Sequence, residues 1–187
     1  MYTNPSNIID TLIAMLERNS LQLNTMVQVY HPRRNLCVYK GLRATLPADA
    51  YPSLEIEPTN ASNQWATTRA QRPRYSLSCT LTTQTTNVAL HVEYICTLAT
   101  QIVALMTSPE NLQLPVLNET KWDWNGGLVP QVILDSLVES VTYNQANEGT
   151  IRIAEWDWFA LMHEPYPDFK FRIGESDMPT ILRPNLV

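Results

Sequence analysis

Apolar side chains recur at helical spacing in two segments of the chain. Within residues 7–18 they fall three or four positions apart, and Ser6 stands where its hydroxyl can cap the first turn. Residues 87–106 contain no Gly or Pro and carry a second apolar stripe, made of Val88, Val92, Ile95, Ala99, Ile102 and Met106. The two patterns predict a short N-terminal amphipathic helix and a central helix of about five turns.

Alternating apolar and polar residues predict strands between these helices. The clearest alternation covers residues 75–83, and one face of that strand is apolar. Shorter strand-like segments occupy residues 26–30, 36–39 and 53–57. The apolar face of the clearest strand consists of Tyr75, Leu77, Cys79 and Leu81.

Two segments have no periodic apolar pattern. Residues 58–74 predict a long loop, and residues 116–130 predict irregular structure or one short strand. After them, residues 138–143 and 150–162 flank a turn that contains Gly149. Those flanking segments predict a hairpin near the end of the chain.

The order of these elements predicts an α+β fold. We expect an antiparallel sheet packed against the N-terminal helix and one long central helix, followed by a C-terminal hairpin and an extended arm. We assign residues 1–163 to one domain and residues 164–187 to the Pro-rich arm. The alternative for the arm is disorder, but its apolar anchors favour docking on an adjacent subunit. The anchors are Tyr166, Phe169, Phe171 and Ile173.

Charge is scarce and unevenly distributed along the chain. Charged residues make up 17% of the 187 residues, where a typical soluble domain carries about 25%. Residues 1–92 hold eight basic and five acidic groups, whereas residues 93–187 hold five basic and thirteen acidic groups. The net charge of −5 argues against a general nucleic-acid-binding protein. With 19 Thr and 14 Asn, the surface is either unusually neutral or partly covered by neighbouring copies.

Basic residues form two clusters in the first half of the chain. One interpretation of these clusters is a solvated surface. A second is a head-to-tail contact in which the basic side of one copy meets the acidic side of the next. A third is salt-sensitive contact with the phosphates of passing DNA, and the sequence does not separate the last two. The clusters are Arg33 and Arg34 with Lys40 and Arg43, and Arg69, Arg72 and Arg74.

No combination of residues predicts catalysis. His31, His91 and His163 lack metal-ligand spacing and are interpreted as surface or interface residues. No nucleophile, phosphate-binding or metalloprotease motif occurs. Cys79 and Cys96 fall in periodic segments, which is typical of buried thiols. We therefore predict no enzyme activity, no metal and no cofactor.

The last predicted strand has one apolar and one acidic face. Trp156 and Trp158 are expected in the core, whereas Glu155 and Asp157 share a solvated or interfacial face. No secretory signal precedes the first helix, and no apolar run approaches the roughly 20 residues of a membrane span. We therefore expect a chain made in the cytoplasm, without membrane contact.

The layout resembles the tail terminators and related neck proteins of tailed bacteriophages. The similarity covers about residues 5–163 and follows the element order through "YPSLEIEP", "RYSLSCTLTTQ" and "NVALHVEYICTLATQIVALM". It ends in the hairpin "VESVTYNQANEGTIRIAEWDWFALM". The last strand, with the turn before it, is similar to the family in the pattern G-x-x-R-x-A-x-x-x-W, formed by Gly149, Arg152, Ala154 and Trp158.

This resemblance implies a hexameric ring in the virion, assembled in the host cytoplasm. Such a ring caps the tail tube, ends its polymerisation and joins it to the neck or head connector. DNA passes through its lumen, and Arg69, Arg72 and Arg74 would touch either acidic rims or passing phosphates. The alternatives are another neck or head-completion connector, and a non-viral α+β binding module.

Overall fold

The structure, a computed structural model, describes residues 3–41, 46–47, 50–67, 70–108, 115–122, 128–146, 150–162 and 164–165. Side chains within 62–72, 121–129 and 164–165 are outside that description. The helices are α1 (Pro5–Arg18), α2 (Ser20–Tyr30) and α3 (Val88–Thr107). The strands are β1 (Cys37–Lys40), β2 (Ser53–Thr67), β3 (Ala70–Gln84), β4 (Pro115–Trp122), β5 (Leu128–Val138), β6 (Thr142–Ala146), β7 (Ile151–Met162) and β8 (Glu164–Pro165).

A mostly antiparallel sheet forms the centre of the molecule. The strand order is β1-β2-β3-β7-β5-β4, with β6 paired to β7 and β8 paired to β3. Only the short edge pair β1–β2 is parallel among the described pairings. The predicted α+β class, with an N-terminal helix and a long central helix, is confirmed.

The helices pack on one face of this sheet. Alternate residues of β3 and β7 point to that face and are buried together with the apolar sides of α1 and α3. Trp156 and Trp158 belong to this core, as predicted, and are 3% and 1% exposed. Cys79 is buried as predicted, whereas Cys96 is only half-buried at the core's edge. Because each of these elements buries one side, its apolar residues recur at regular spacing in the sequence, and the element could be predicted.

The first helix follows the prediction except at its cap. Residues Ile8, Ile9 and Leu12 are at most 2% exposed. The side-chain oxygen of Asn4, rather than Ser6, accepts the capping hydrogen bond, from the Ser6 backbone N–H at 3.0 Å. Because the helix begins at Pro5, Ser6 already lies within its first turn.

Helix α2 replaces a predicted strand. Residues 26–30 alternate in the sequence, but the buried residues of this segment are Leu23 and Val27, four positions apart. That spacing is the helical one, so packing against the core prevails over the strand preference of the Val-rich segment. The Asn24 side chain accepts a hydrogen bond from the Leu36 backbone N–H at 3.0 Å, which ties α2 to the chain entering β1.

Strands β2 and β3 replace most of the predicted long loop at 58–74. Each strand has 15 residues, and they pair from Ser53↔Thr82 to Thr67↔Ala70. Strands β7 and β8 follow β3 in one register, from Gln84↔Ile151 to Ala70↔Pro165. At about 3.3 Å per residue, β3 is about 50 Å long. Backbone pairing holds together the polar part of β2 and β3 near their connecting turn. Such pairing leaves no apolar periodicity in the sequence.

Two further segments differ in part from expectation. Residues 116–130 contain β4 and the start of β5, which pair antiparallel. The predicted C-terminal hairpin is confirmed as β6 and β7, paired from Thr142↔Glu155 to Ala146↔Ile151. Its first strand begins at Thr142 and not at Val138, which is the last residue of β5.

The central helix is confirmed. Four of the six residues of its predicted stripe are buried, namely Ile95, Ala99, Ile102 and Met106, and only the start of the helix departs from the prediction. Val88 and Val92 are 40% and 48% exposed, whereas His91, Tyr94 and Leu98 are buried. Helix α3 has 20 residues, and an 18-residue window within it has a mean hydropathy of 1.6, so by length and composition it could span a membrane, contrary to the sequence analysis. In this fold the buried side of α3 packs against β7 and β5.

Candidate assembly surfaces

The sheet face opposite the helices is open and polar. Its central rows are half-exposed Ser and Thr residues of β3, and they stand beside exposed acids of β7. In register, Thr80 lies opposite Glu155 and Ser78 opposite Asp157. The predicted shared face of Glu155 and Asp157 is confirmed, and both side chains are exposed.

One arginine is bound within this open face. The Arg74 Nη2 atom lies 3.0 Å from the Glu139 Oε1 atom. The Arg74 guanidinium carbon also stands 3.9 Å from the centre of the Phe159 ring. Because these side chains remain substantially exposed, the ion pair contributes at most about 1 kcal/mol to stability. The contact nevertheless shows that a carboxylate and an aromatic ring of this face, those of Glu139 and Phe159, bind a guanidinium.

An open cavity of about 340 Å³ adjoins this contact. It contains three carboxylates, of which Glu155 Oε2 accepts a hydrogen bond from Asn144 Nδ2 at 3.1 Å. Among the residues that the structure describes, no group of three or more His, Cys, Asp or Glu is placed to hold a metal ion. The electrostatics therefore favour a cationic side chain. The lining residues are Ser78, Glu139, Ser140, Thr142, Glu155, Trp156, Asp157 and Phe159.

We name this region the sheet surface and define it by Leu137, Glu139, Glu155, Asp157 and Phe159. Leu137 lies on β5 opposite Phe159 and is 52% exposed. The surface therefore combines carboxylates with two apolar side chains.

A second unusual surface lies on the helical side of the molecule. Val29 of α2 and Leu90 of α3 are 72% and 48% exposed and line a cavity of about 110 Å³. Exposed Arg33 follows in the turn after α2. Arg34, its neighbour, donates from Nη1 to the Tyr51 carbonyl at 3.1 Å. We name Val29, Leu90 and Arg33 the helical surface.

Aromatic rings lie below the helical surface. The Tyr94 ring centre is 4.6 Å from that of Tyr30 and 5.3 Å from that of His31. Burial raises the pKa of Tyr94, and burial together with the nearby Arg34 lowers the pKa of His31. This cluster makes the base of the surface rigid and largely neutral at pH 7.

His91 corrects the prediction of a surface or interface histidine. It is fully buried, and its Nε2 atom is hydrogen-bonded to the Thr83 hydroxyl at 2.9 Å. The physical reason is its position on α3, where it is in helical phase with buried Ile95 and Leu98. His91 therefore joins the helix to the sheet.

The structure separates the predicted contact residues. Arg33 and Arg34 lie on the turn after α2, whereas Arg74 lies on the open sheet face. Arg72 lies in β3, with its side chain outside the description, and Arg69 lies outside the described residues altogether. The anchors Tyr166, Phe169, Phe171 and Ile173 also lie outside them, as does His163.

Sequence reasoning missed the exposed apolar residues of both surfaces. Leu137, Val29 and Leu90 look like ordinary core residues in a linear sequence. Their exposure follows from the fold. Val29 lies on α2, which was expected to be a strand, and Leu90 lies at the start of α3, outside its buried side.

The comparisons with known proteins identify a fold relationship. The sequence matches no known family model and no curated protein. The fold is similar to that of a chain in a solved structure described as the virion of a native gene transfer agent particle. The match has a TM-score of 0.57 at 10% identity and covers 88% of this chain and 100% of that chain. A second solved structure matches with a TM-score of 0.37 at 13% identity, covering 80% of this chain and 96% of that chain.

Proposed function

We propose that this chain is a structural protein of a phage-like virion. In this proposal it forms a closed ring that caps the tail tube, ends its polymerisation and joins it to the neck or head connector. The observation that carries the proposal is the fold match, which includes the whole of a chain from a virion particle. The element order that resembles tail terminators supports the finer assignment to the end of the tail.

The partners follow from this location. The chain contacts further copies of itself, six in the ring, as well as the tail tube protein and the connector. DNA meets the ring only while it passes through the lumen. The proposal needs no cofactor, no catalysis and no membrane.

The two assembly surfaces support a role in protein contacts. One carries carboxylates and exposed Leu137, and the other carries exposed Val29 and Leu90 near Arg33. A neighbouring copy can cover the exposed apolar side chains of both surfaces and pair with the charges beside them.

The proposed C-terminal arm, residues 164–187, belongs to the same assembly. Its described start, β8, pairs with β3 at Ala70 and Gln71, which are the first residues of that strand. The arm thus leaves at the tip of the β2–β3 hairpin and not beside the helices. We expect removal of residues 166–187 to lower the stability of the oligomer, measured by its dissociation on dilution, while the unfolding of the monomer stays unchanged. Equal dissociation of both forms would refute a docking arm.

A tube-growth experiment tests the proposed function. Tube protein from the same particle is polymerised with and without this chain, and tube lengths are measured by negative-stain electron microscopy. A terminator binds one end of the tube and stops its growth. Unchanged growth and no co-sedimentation with tubes would refute the assignment.

Another neck or head-completion protein is the second candidate, because the same fold match names the particle and not a position in it. Co-sedimentation with isolated heads, in place of tubes, would favour this candidate. Light scattering of the purified chain gives the ring's copy number in either case.

A further inference from the structure

We propose that neighbouring copies join by placing the helical surface of one copy on the sheet surface of the next. This inference rests on the proposed function only in choosing a second copy of the chain as the occupant. It deepens that proposal by naming the two surfaces that meet and the charge pair between them, Arg33 with Asp157.

Layering of the fold leaves one sheet face available for this contact. The sheet has helices on one face, and its other face shows half-exposed Ser and Thr between exposed carboxylates. An antiparallel sheet with helices on one face leaves its other face open to a partner. A neighbour's α2, with the adjoining end of α3, would pack on that open face.

Charge complementarity points to the same pairing. Among the described side chains, Asp157 and Arg33 are exposed and have no ion-pair partner within 4.0 Å. Arg74 already shows how this face receives a guanidinium, between the Glu139 carboxylate and the Phe159 ring. The cavity beside it has room for a second guanidinium, near Asp157 and Glu155. Glu93 of α3 interacts with Tyr30 of α2, and neither Arg33 nor its neighbour Arg34 is paired with Glu93 in the described ion pairs.

Apolar groups on the two surfaces also match. Leu137 projects from the sheet surface with half of its side chain exposed. The cavity of about 110 Å³ between Val29 and Leu90 is of a size to receive one aliphatic side chain. Burial of these three exposed groups together would add a hydrophobic contribution that the isolated chain lacks.

The positions of the surfaces determine the symmetry of the contact. The helical surface lies on the layer that covers one sheet face, and the sheet surface lies on the other face. A contact between different surfaces is heterologous, and its repetition gives a closed ring when the rotation between copies closes.

Charge reversal tests the contact directly. We would prepare Arg33→Glu, Asp157→Lys and the double variant, and measure assembly mass against concentration by analytical ultracentrifugation. Each single variant is expected to raise the concentration for half-assembly by at least about tenfold, because it places like charges together. The double variant should recover most of that loss. An equimolar mixture of the two single variants should also assemble better than either alone.

Matched controls separate this contact from general charge effects. Arg18→Glu changes the charge by the same amount at an exposed site at the end of α1 and should leave assembly unchanged. Far-ultraviolet circular dichroism confirms that each variant folds. If copies associate only on tube ends, the same variants are compared by the number of copies bound per end.

Several results would overturn the inference. They are wild-type assembly by both single variants, no recovery in the double variant, and a wild-type chain that stays monomeric alone and on tubes. Rings that form with the expected charge dependence but do not stop tube growth would refute the proposed function alone. Capping of tubes that does not depend on the charges of Arg33 and Asp157 would refute only the proposed contact between copies.

Discussion

Two side chains donate hydrogen bonds to one buried carbonyl at the end of the central helix. Trp158 Nε1 lies 3.1 Å and Ser136 Oγ lies 2.9 Å from the Met106 carbonyl oxygen. Since α3 ends at Thr107, this carbonyl is one of the last four in the helix and has no donor within it. We expect the two donors to be partly redundant, because either can satisfy the carbonyl.

The structure gives the size of each effect. Ser136→Ala removes one neutral hydrogen bond and should lower the free energy of unfolding by about 1 kcal/mol. Trp158→Phe removes the other hydrogen bond and leaves a cavity at a site that is 1% exposed, so we expect a loss of about 2–3 kcal/mol. The double variant leaves the Met106 carbonyl without either donor. Its loss should therefore exceed the sum of the single losses by about 1 kcal/mol.

Urea unfolding measures this coupling. Circular dichroism is the appropriate signal, because the substitution removes a fluorescent Trp. Thr25→Ala provides a control, since its hydroxyl donates to the Leu21 carbonyl on the exposed side of α2 at 2.7 Å. Its effect should add to that of Trp158→Phe without coupling. Coupling below about 0.3 kcal/mol between Trp158 and Ser136 would refute the shared-carbonyl argument.

Three further predictions concern the cap, the histidine and the thiols. Asn4→Ala should lower the free energy of unfolding by about 1 kcal/mol in urea titrations, because it removes the side-chain cap of α1. Asn87→Ala is the control and should have little effect, since Asn87 is at an N-cap position without a side-chain capping bond. Equal losses in the two variants would contradict the cap assignment. Burial lowers the pKa of His31 below its ordinary 6.5, so the unfolded chain takes up the proton first and stability should fall as pH drops below about 6.5. His31→Gln should reduce that fall, and an unchanged pH profile would refute this role. Burial raises the pKa of Cys79, so a thiol reagent should modify half-buried Cys37 in the native protein and Cys79 only on unfolding. Equal rates of modification of the two thiols in the native protein would exclude a closed core around Cys79.

The sequence predicted those elements whose packing leaves a periodic trace. Helix α1 and strand β7 each bury one side, so their apolar residues recur at 3.6 or 2 positions. The helix α2 buries only Leu23 and Val27, and two residues do not define a period. The local preference of Val27 and Val29 for strands then gave the wrong element.

The outer part of the long hairpin could not be predicted for a different reason. Strands β2 and β3 are held there by backbone hydrogen bonds, which depend on no side-chain type. The candidate surfaces posed the same difficulty, because they are composed of residues from separate elements. Leu137 and Asp157 become neighbours only when β5 and β7 pair. Of the predicted contact residues, the basic pair Arg33 and Arg34 was visible as a cluster, but the surface it would meet was not.

The low charge content of the chain is consistent with the proposal that a neighbouring copy covers the open sheet face. A sheet face that stays in water is usually protected by mixed charges, and Lys is common on exposed edges. Here the centre of the open face carries Ser78 and Thr80, and its charges beside them are Glu155 and Asp157, which have the same sign. The Glu155 and Asp157 carboxylates stand two residues apart on one strand face, so they repel each other weakly in the isolated chain. An arginine from a neighbouring copy would relieve that repulsion, and the same carboxylates would then contribute to the choice of partner.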